Sequence, residues 1–134
     1  MAETAAVTDT HALVFHASGG RQLGPKASRL FAAAEEGDAL IYVPAVVVWE
    51  VSLLARAVRI NLRRPVRDFF ADLFSNPAYQ FHDLGLSQLL DADDLRFTRD
   101  PFDALVCAAA RDLALPLVTR DTAIHESGCV KVLW

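Results

Sequence analysis

Cysteine is scarce in this 134-residue chain, which has two, Cys107 and Cys129. They lack CxxC spacing and are flanked by apolar residues or glycine, which excludes a disulfide framework and suits reduced structural thiols. Long apolar runs are missing too. The longest uncharged stretch, Ala39 to Trp49, is broken by Pro44 and is far shorter than the roughly 18 to 20 residues of a bilayer span. The opening Met1-Ala2-Glu3-Thr4 is acidic and leads into no apolar segment, which argues against a secretory leader. No repeat and no low-complexity segment occurs, so solenoids and linkers are excluded. Lysine is confined to Lys26 and Lys131.

Apolar residues, by contrast, are abundant. They make up 53% of the chain against 22% charged residues, enough apolar surface to offset the entropy of ordering, which rules out intrinsic disorder. The length suits a single domain over 1–134, with residues 1–5 expected as a flexible extension and a cytoplasmic setting as the default. Seventeen Asp and Glu against thirteen Lys and Arg leave a net charge of -4. That argues against a broad polyanion binder, but not against a nucleic-acid enzyme that pairs an acidic metal site with a local basic patch.

Short apolar runs at Ala5 to Thr8, Leu40 to Val43, Tyr79 to His82, Leu115 to Thr119 and Val130 to Leu133 read as buried strands. Helical spacing fills most of the intervals: His11 to Ala17, Pro25 to Glu36, Ala45 to Ile60, Pro65 to Phe74, Ser87 to Leu95 and Pro101 to Leu113, with a short turn after Asp121. Strands alternating with helices imply right-handed crossovers. The expected fold is α/β, a three-layer α/β/α sandwich around a mainly parallel five-stranded sheet.

In such a sheet ligands bind beyond the carboxyl ends of the strands. Asp9 directly follows the first expected strand and Asp121 a later one, while Asp100 and Asp103 open a helix in Asp100-Pro101-Phe102-Asp103. Glu50 lies among Val46-Val47-Val48-Trp49 and Val51, and an ionised carboxylate in that setting is costly unless a cation or strong hydrogen bonds compensate it. A cation held by several carboxylates would satisfy Glu50 and account for Asp9, Asp103 and Asp121 as well. Helix capping is the competing reading for Asp9, Asp100 and Asp121.

These residues carry a family resemblance. Asp9-Thr10-His11-Ala12-Leu13, Trp49-Glu50-Val51, Asp100-Pro101-Phe102-Asp103 and Leu117-Val118-Thr119-Arg120-Asp121, in this order across almost the whole chain, resemble the PIN-domain ribonucleases, specifically the VapC-type toxins of bacterial toxin–antitoxin pairs. The resemblance implies that Asp9, Glu50 and Asp103 form the catalytic metal site, with Asp121 as a fourth, looser ligand and Asp100 and Thr119 in support. It also implies cleavage of single-stranded or loop RNA to a 5′-phosphate and a 3′-hydroxyl, a homodimer, and an inhibitory antitoxin. The chain departs from the pattern on both sides of the motif: Thr98 and Arg99 precede Asp-Pro-Phe-Asp where many relatives have a His, and Ala104 stands in place of an Arg.

Hard carboxylate oxygens suit Mg²⁺ or Mn²⁺ and water activated by the metal. The four histidines are scattered, and no nucleophile elbow or Cys–His arrangement occurs. Arg56, Arg59 and Arg63 share one face if the third helix runs that far, and are candidates for phosphate contacts; a solvated face with ion pairs to Asp68 and Asp72 is the competing reading. The alternatives for the whole chain are a catalytically inactive PIN-like binding module and a phosphoacceptor receiver domain. A receiver requires a lysine at a strand end near the acids, which neither Lys26 nor Lys131 provides.

Overall fold

The computed structural model describes residues 3–134. Five strands form one sheet in the order β3-β2-β1-β4-β5, with every pair parallel. The elements run β1 Ala5–Thr8, α1 Thr10–Ala17, α2 Pro25–Glu35, β2 Leu40–Pro44, α3 Ala45–Arg56, α4 Val66–Ser75, β3 Tyr79–His82, α5 Leu86–Asp94, α6 Pro101–Leu113, β4 Leu117–Val118, α7 Thr122–Ser127 and β5 Val132–Leu133. Helices cover both faces of the sheet, giving a three-layer α/β/α sandwich.

The central strands are short and largely apolar, as suits strands buried on both faces. Ala6, Val7, Ile41, Val43, Leu117 and Val118 are fully buried, and Leu13, Phe31, Val47 and Val51 pack into the same core from the helices. Helix α6 presents Cys107, Ala108, Ala109 and Ala110 inward, small side chains that suit a helix packed against both β1 and α3. The thiols are free, and burial pushes that of Cys107 well above the usual range.

The chain builds β1, β2 and β3 outward on one side, then returns to place β4 and β5 on the other side of β1. Strand order therefore reverses between β1 and β4, and the crevice beyond their carboxyl ends is the natural ligand site of such a sheet. Val7 pairs with both Tyr42 and Leu117, and Thr8 with Val118, so Asp9 and Thr119 emerge side by side at that crevice.

The expected five-stranded, mainly parallel sheet is present, and every one of its strand pairs is parallel. Two expectations are corrected. The extension expected over residues 1–5 is engaged from residue 3 onward: Glu3 pairs with Lys131, the Thr4 carbonyl accepts the Leu40 N–H at 2.9 Å, and Ala5 opens β1. Residues 1 and 2 lie outside the described residues. Helix α3 stops at Arg56 instead of Ile60, because the chain turns at Ala57 and passes through a left-handed Val58 with φ +55°.

Candidate functional site

A cavity of about 620 Å³ opens at the β1/β4 crevice, lined by Asp9, Glu50, Asp100, Asp103 and Asp121 together with Thr10, His11, Phe102, Thr119 and Arg120. Five carboxylates face one hollow. Three of them are helix N-caps, and the other two, Asp103 and Glu50, project from within helices.

Asp9 is the N-cap of α1 and accepts the Ala12 N–H at 2.8 Å. That bond, the Thr119 hydroxyl and the His11 side chain favour its ionised form, yet burial outweighs them and raises its pKa. Thr119 is fully buried and accepts the Asp121 N–H at 3.1 Å, so one hydroxyl ties the ends of β1 and β4 together. Asp121 caps α7 through the Ile124 N–H at 3.0 Å. Asp100 caps α6, accepting the Phe102 and Asp103 N–H groups at 2.8 and 3.2 Å. The caps and the cavity acids are thus the same residues, and the two readings of Asp9, Asp100 and Asp121 do not compete.

Asp103 stands in the first turn of α6 with no cap to make. Burial, followed by the charges of Asp100, Asp121, Glu50 and Asp9, pushes it up to about 7. Glu50 is half-buried on α3, and its Oε1 accepts the Thr10 hydroxyl at 2.5 Å. The compensation anticipated for this carboxylate includes a strong hydrogen bond from a residue that is itself only 2% exposed.

Thr10 and Arg120 are the side chains that sequence reasoning passed over. Arg120 is the one Lys or Arg among the lining residues, and its guanidinium carbon sits 4.7 Å above the Phe15 ring. Arg56, Arg59 and Arg63 do not line the cavity. Their common helical face is lost where α3 ends: Arg56 lies 5.2 Å over the Trp49 ring, and Arg63 has a left-handed φ of +60° beside a separate hollow. Asp72 pairs instead with Arg64, at 3.4 Å.

Among the described residues, no three His, Cys, Asp or Glu side chains form a ready-made ligand cluster, so the acids share a cavity without closing into a shell. The donor set still fits a hard divalent ion. It offers carboxylate oxygens whose burial, reinforced by mutual repulsion, raises the proton affinity of Asp9 and Asp103. Neither lysine lines the cavity, which removes the residue a receiver domain requires.

The comparisons with known proteins agree with this architecture. A family model for the PIN domain matches residues 6–128, and the chain belongs to the PIN-domain family. PIN domains are generally nucleases and generally use divalent metal ions. Among solved structures, the chain is similar to VapBC2 from Rickettsia felis bound to a DNA fragment from its promoter, with a TM-score of 0.69 and 13% identity over 96% of each chain. It is similar also to FitAcB from Neisseria gonorrhoeae, with a TM-score of 0.60 and 16% identity over 95% of each chain. A toxin–antitoxin complex from Klebsiella pneumoniae aligns with a TM-score of 0.58 and 20% identity over 87% of each chain. No curated protein sequence matches the chain. Among the described residues, no helix is long and apolar enough to cross a membrane.

Proposed function

We propose that this PIN domain is a metal-dependent endoribonuclease that acts in the cytoplasm as the toxin of a toxin–antitoxin pair. The observation that carries this reading is the convergence of Asp9, Glu50, Asp103 and Asp121 on one hollow at the strand-order reversal, with Arg120 as its sole guanidinium. Asp9, Glu50 and Asp103 would hold Mg²⁺ or Mn²⁺, with Asp121 as the looser fourth ligand. When bound, the ion supplies an activated water and neutralises charge on the scissile phosphate.

The chain's own side chains do the positioning. Thr10 holds the Glu50 carboxylate in one orientation, and Thr119 fixes Asp9 relative to Asp121. Asp100, spent on capping, keeps the first turn of α6 and therefore Asp103 in place. Asp103 must give up its proton before it can act as a ligand, so protons compete with the ion and the affinity for Mn²⁺ should fall as pH drops below about 7.

The similarity to a Klebsiella toxin–antitoxin complex supports an antitoxin partner. A homodimer is supported by the exposed apolar side chains Phe81, Leu86, Leu89 and Leu90, which lie on edge strand β3 and helix α5.

The test is cleavage of single-stranded RNA by the purified chain. Cutting should require Mg²⁺ or Mn²⁺, leave 5′-phosphate ends, and disappear in Asp9→Asn and Asp103→Asn variants that keep the native circular dichroism. Equal cutting in EDTA would refute the metal mechanism, whereas RNA retained but never cut would favour the inactive binding module.

A further inference from the structure

Beside the acid cavity lies a smaller hollow of about 260 Å³. Thr119, Arg120, Asp121 and Thr122 line both, so the turn after β4 is a shared wall. The rest of the smaller hollow includes His125, Glu126 and the indole of Trp134. Its chemistry differs from that of its neighbour: five carboxylates line the first, whereas the second sets an indole beside two, Asp121 and Glu126.

Both the ring and the guanidinium are held in place. The Trp134 carbonyl accepts the Ala27 N–H at 2.9 Å, and residue 134 lies so close to Gly24 that a Cβ there would come within 2.5 Å of the ring. The Trp134 ring meets Phe15 edge-on, with centroids 6.4 Å apart, and the Arg120 guanidinium rests on that same Phe15 ring. Arg120 is exposed and, among the described residues, forms no ion pair despite the five carboxylates lining its cavity. A cation stacked on an aromatic ring and left unneutralised is available to an incoming anion.

We propose that the smaller hollow seats the nucleotide adjacent to the scissile phosphate, with Trp134 stacking on its base and Arg120 donating to the phosphate that joins the two cavities. The assignment rests on the ribonuclease reading. It commits to a single-stranded RNA segment because the hollow adjoins the acid cavity across the Thr119–Thr122 turn, with Arg120 lining both, and because an indole beside a guanidinium is the combination that single strands use. Glu126 in the same wall opposes a second phosphate, so the hollow takes the base and leaves the charge to Arg120.

Two indoles are present, Trp49 and Trp134, so a Trp49→Phe chain reports on Trp134 alone. In that background, with Asp9→Asn added to prevent cutting, a short single-stranded RNA should quench the fluorescence, and the same oligonucleotide made abasic should not. In the otherwise native enzyme, Arg120→Gln and Trp134→Leu should each raise KM about tenfold and leave kcat within about twofold. A substrate abasic next to the cut should lose about tenfold with the native enzyme and nothing further with Trp134→Leu. Trp134→Phe, which keeps an aromatic ring, should recover most of the loss; if Trp134→Leu fails to fold, the abasic substrate with the native enzyme and Arg120→Gln carry the test.

RNA that is bound and cut with no change in Trp134 fluorescence and no change in KM for Arg120→Gln would overturn the subsite alone. Equal quenching by abasic and native oligonucleotides would do the same. A native enzyme that neither binds nor cuts RNA would overturn the ribonuclease reading and the subsite with it.

Discussion

Asp103 shows how neighbours set the chemistry of a single side chain. Its carboxyl is pushed up to about 7, first by burial and then by four other carboxylates. In the unfolded chain it ionises near the ordinary value of 3.8, so between these limits the folded protein binds the extra proton. The stability this contributes is full below the unfolded pKa and is lost as pH rises through about 7. Metal-free Asp103→Asn protein should therefore be more stable than the native chain at pH 8, by about 1–2 kcal/mol after solvent screening, and equal to it near pH 4. Thermal melts in EDTA decide this, and coincident curves at pH 8 would contradict it. Thr10 admits a complementary experiment. Thr10→Val keeps the volume but removes the donor to Glu50, and should weaken Mn²⁺ binding by about tenfold, with Thr10→Ser restoring it. The acids were legible because each adjoins a strand end, a helix start or an apolar run. Thr10 was not, since its partner lies 40 residues away and nothing local marks which hydroxyl will meet which carboxylate.

Elements with punctuation were read closely. Helix α6 begins and ends where Asp100-Pro101 and Leu113 suggested, because an N-cap followed by proline at the first helical position is a strong local signal. Helix α3 was overrun because Ala57-Val58-Arg59 contains no glycine or proline, and its stop depends on a left-handed valine that local propensity disfavours. The overrun also produced the expected arginine face, which vanished with the last turn. Strand β4 proved shorter than its apolar run, because the Leu115 N–H turns back to the Ala110 carbonyl at 3.1 Å and Pro116 has no N–H to give to a ladder. The approach of α2 to residue 134 gives a prediction at this scale. A Cβ on Gly24 would meet both the ring and the main chain of Trp134 at about 2.5 Å. Gly24→Ala should therefore cost about 1–3 kcal/mol in denaturant unfolding, while Gly85→Ala, in open space, should cost far less.

At the scale of the whole molecule, topology does what no single element can. Placing β4 beside β1 after the chain has built outward to β3 brings Asp9 and Asp121, 112 positions apart in sequence, into one crevice. Alternating strands and helices made the sandwich legible. The pairing of Val7 with Leu117 follows from burial of both faces across the whole sheet and has no local signature. The resulting hollow concentrates negative charge in a chain whose net charge is only -4. A divalent ion that binds this hollow in the folded state alone must also stabilise the fold by mass action. The most direct measurement is calorimetric titration of Mn²⁺ into metal-stripped protein at pH 8. The account predicts saturable binding that disappears in both Asp9→Asn and Asp103→Asn while each variant retains the native fold. No binding to the native chain, or binding that survives both substitutions unchanged, would contradict it.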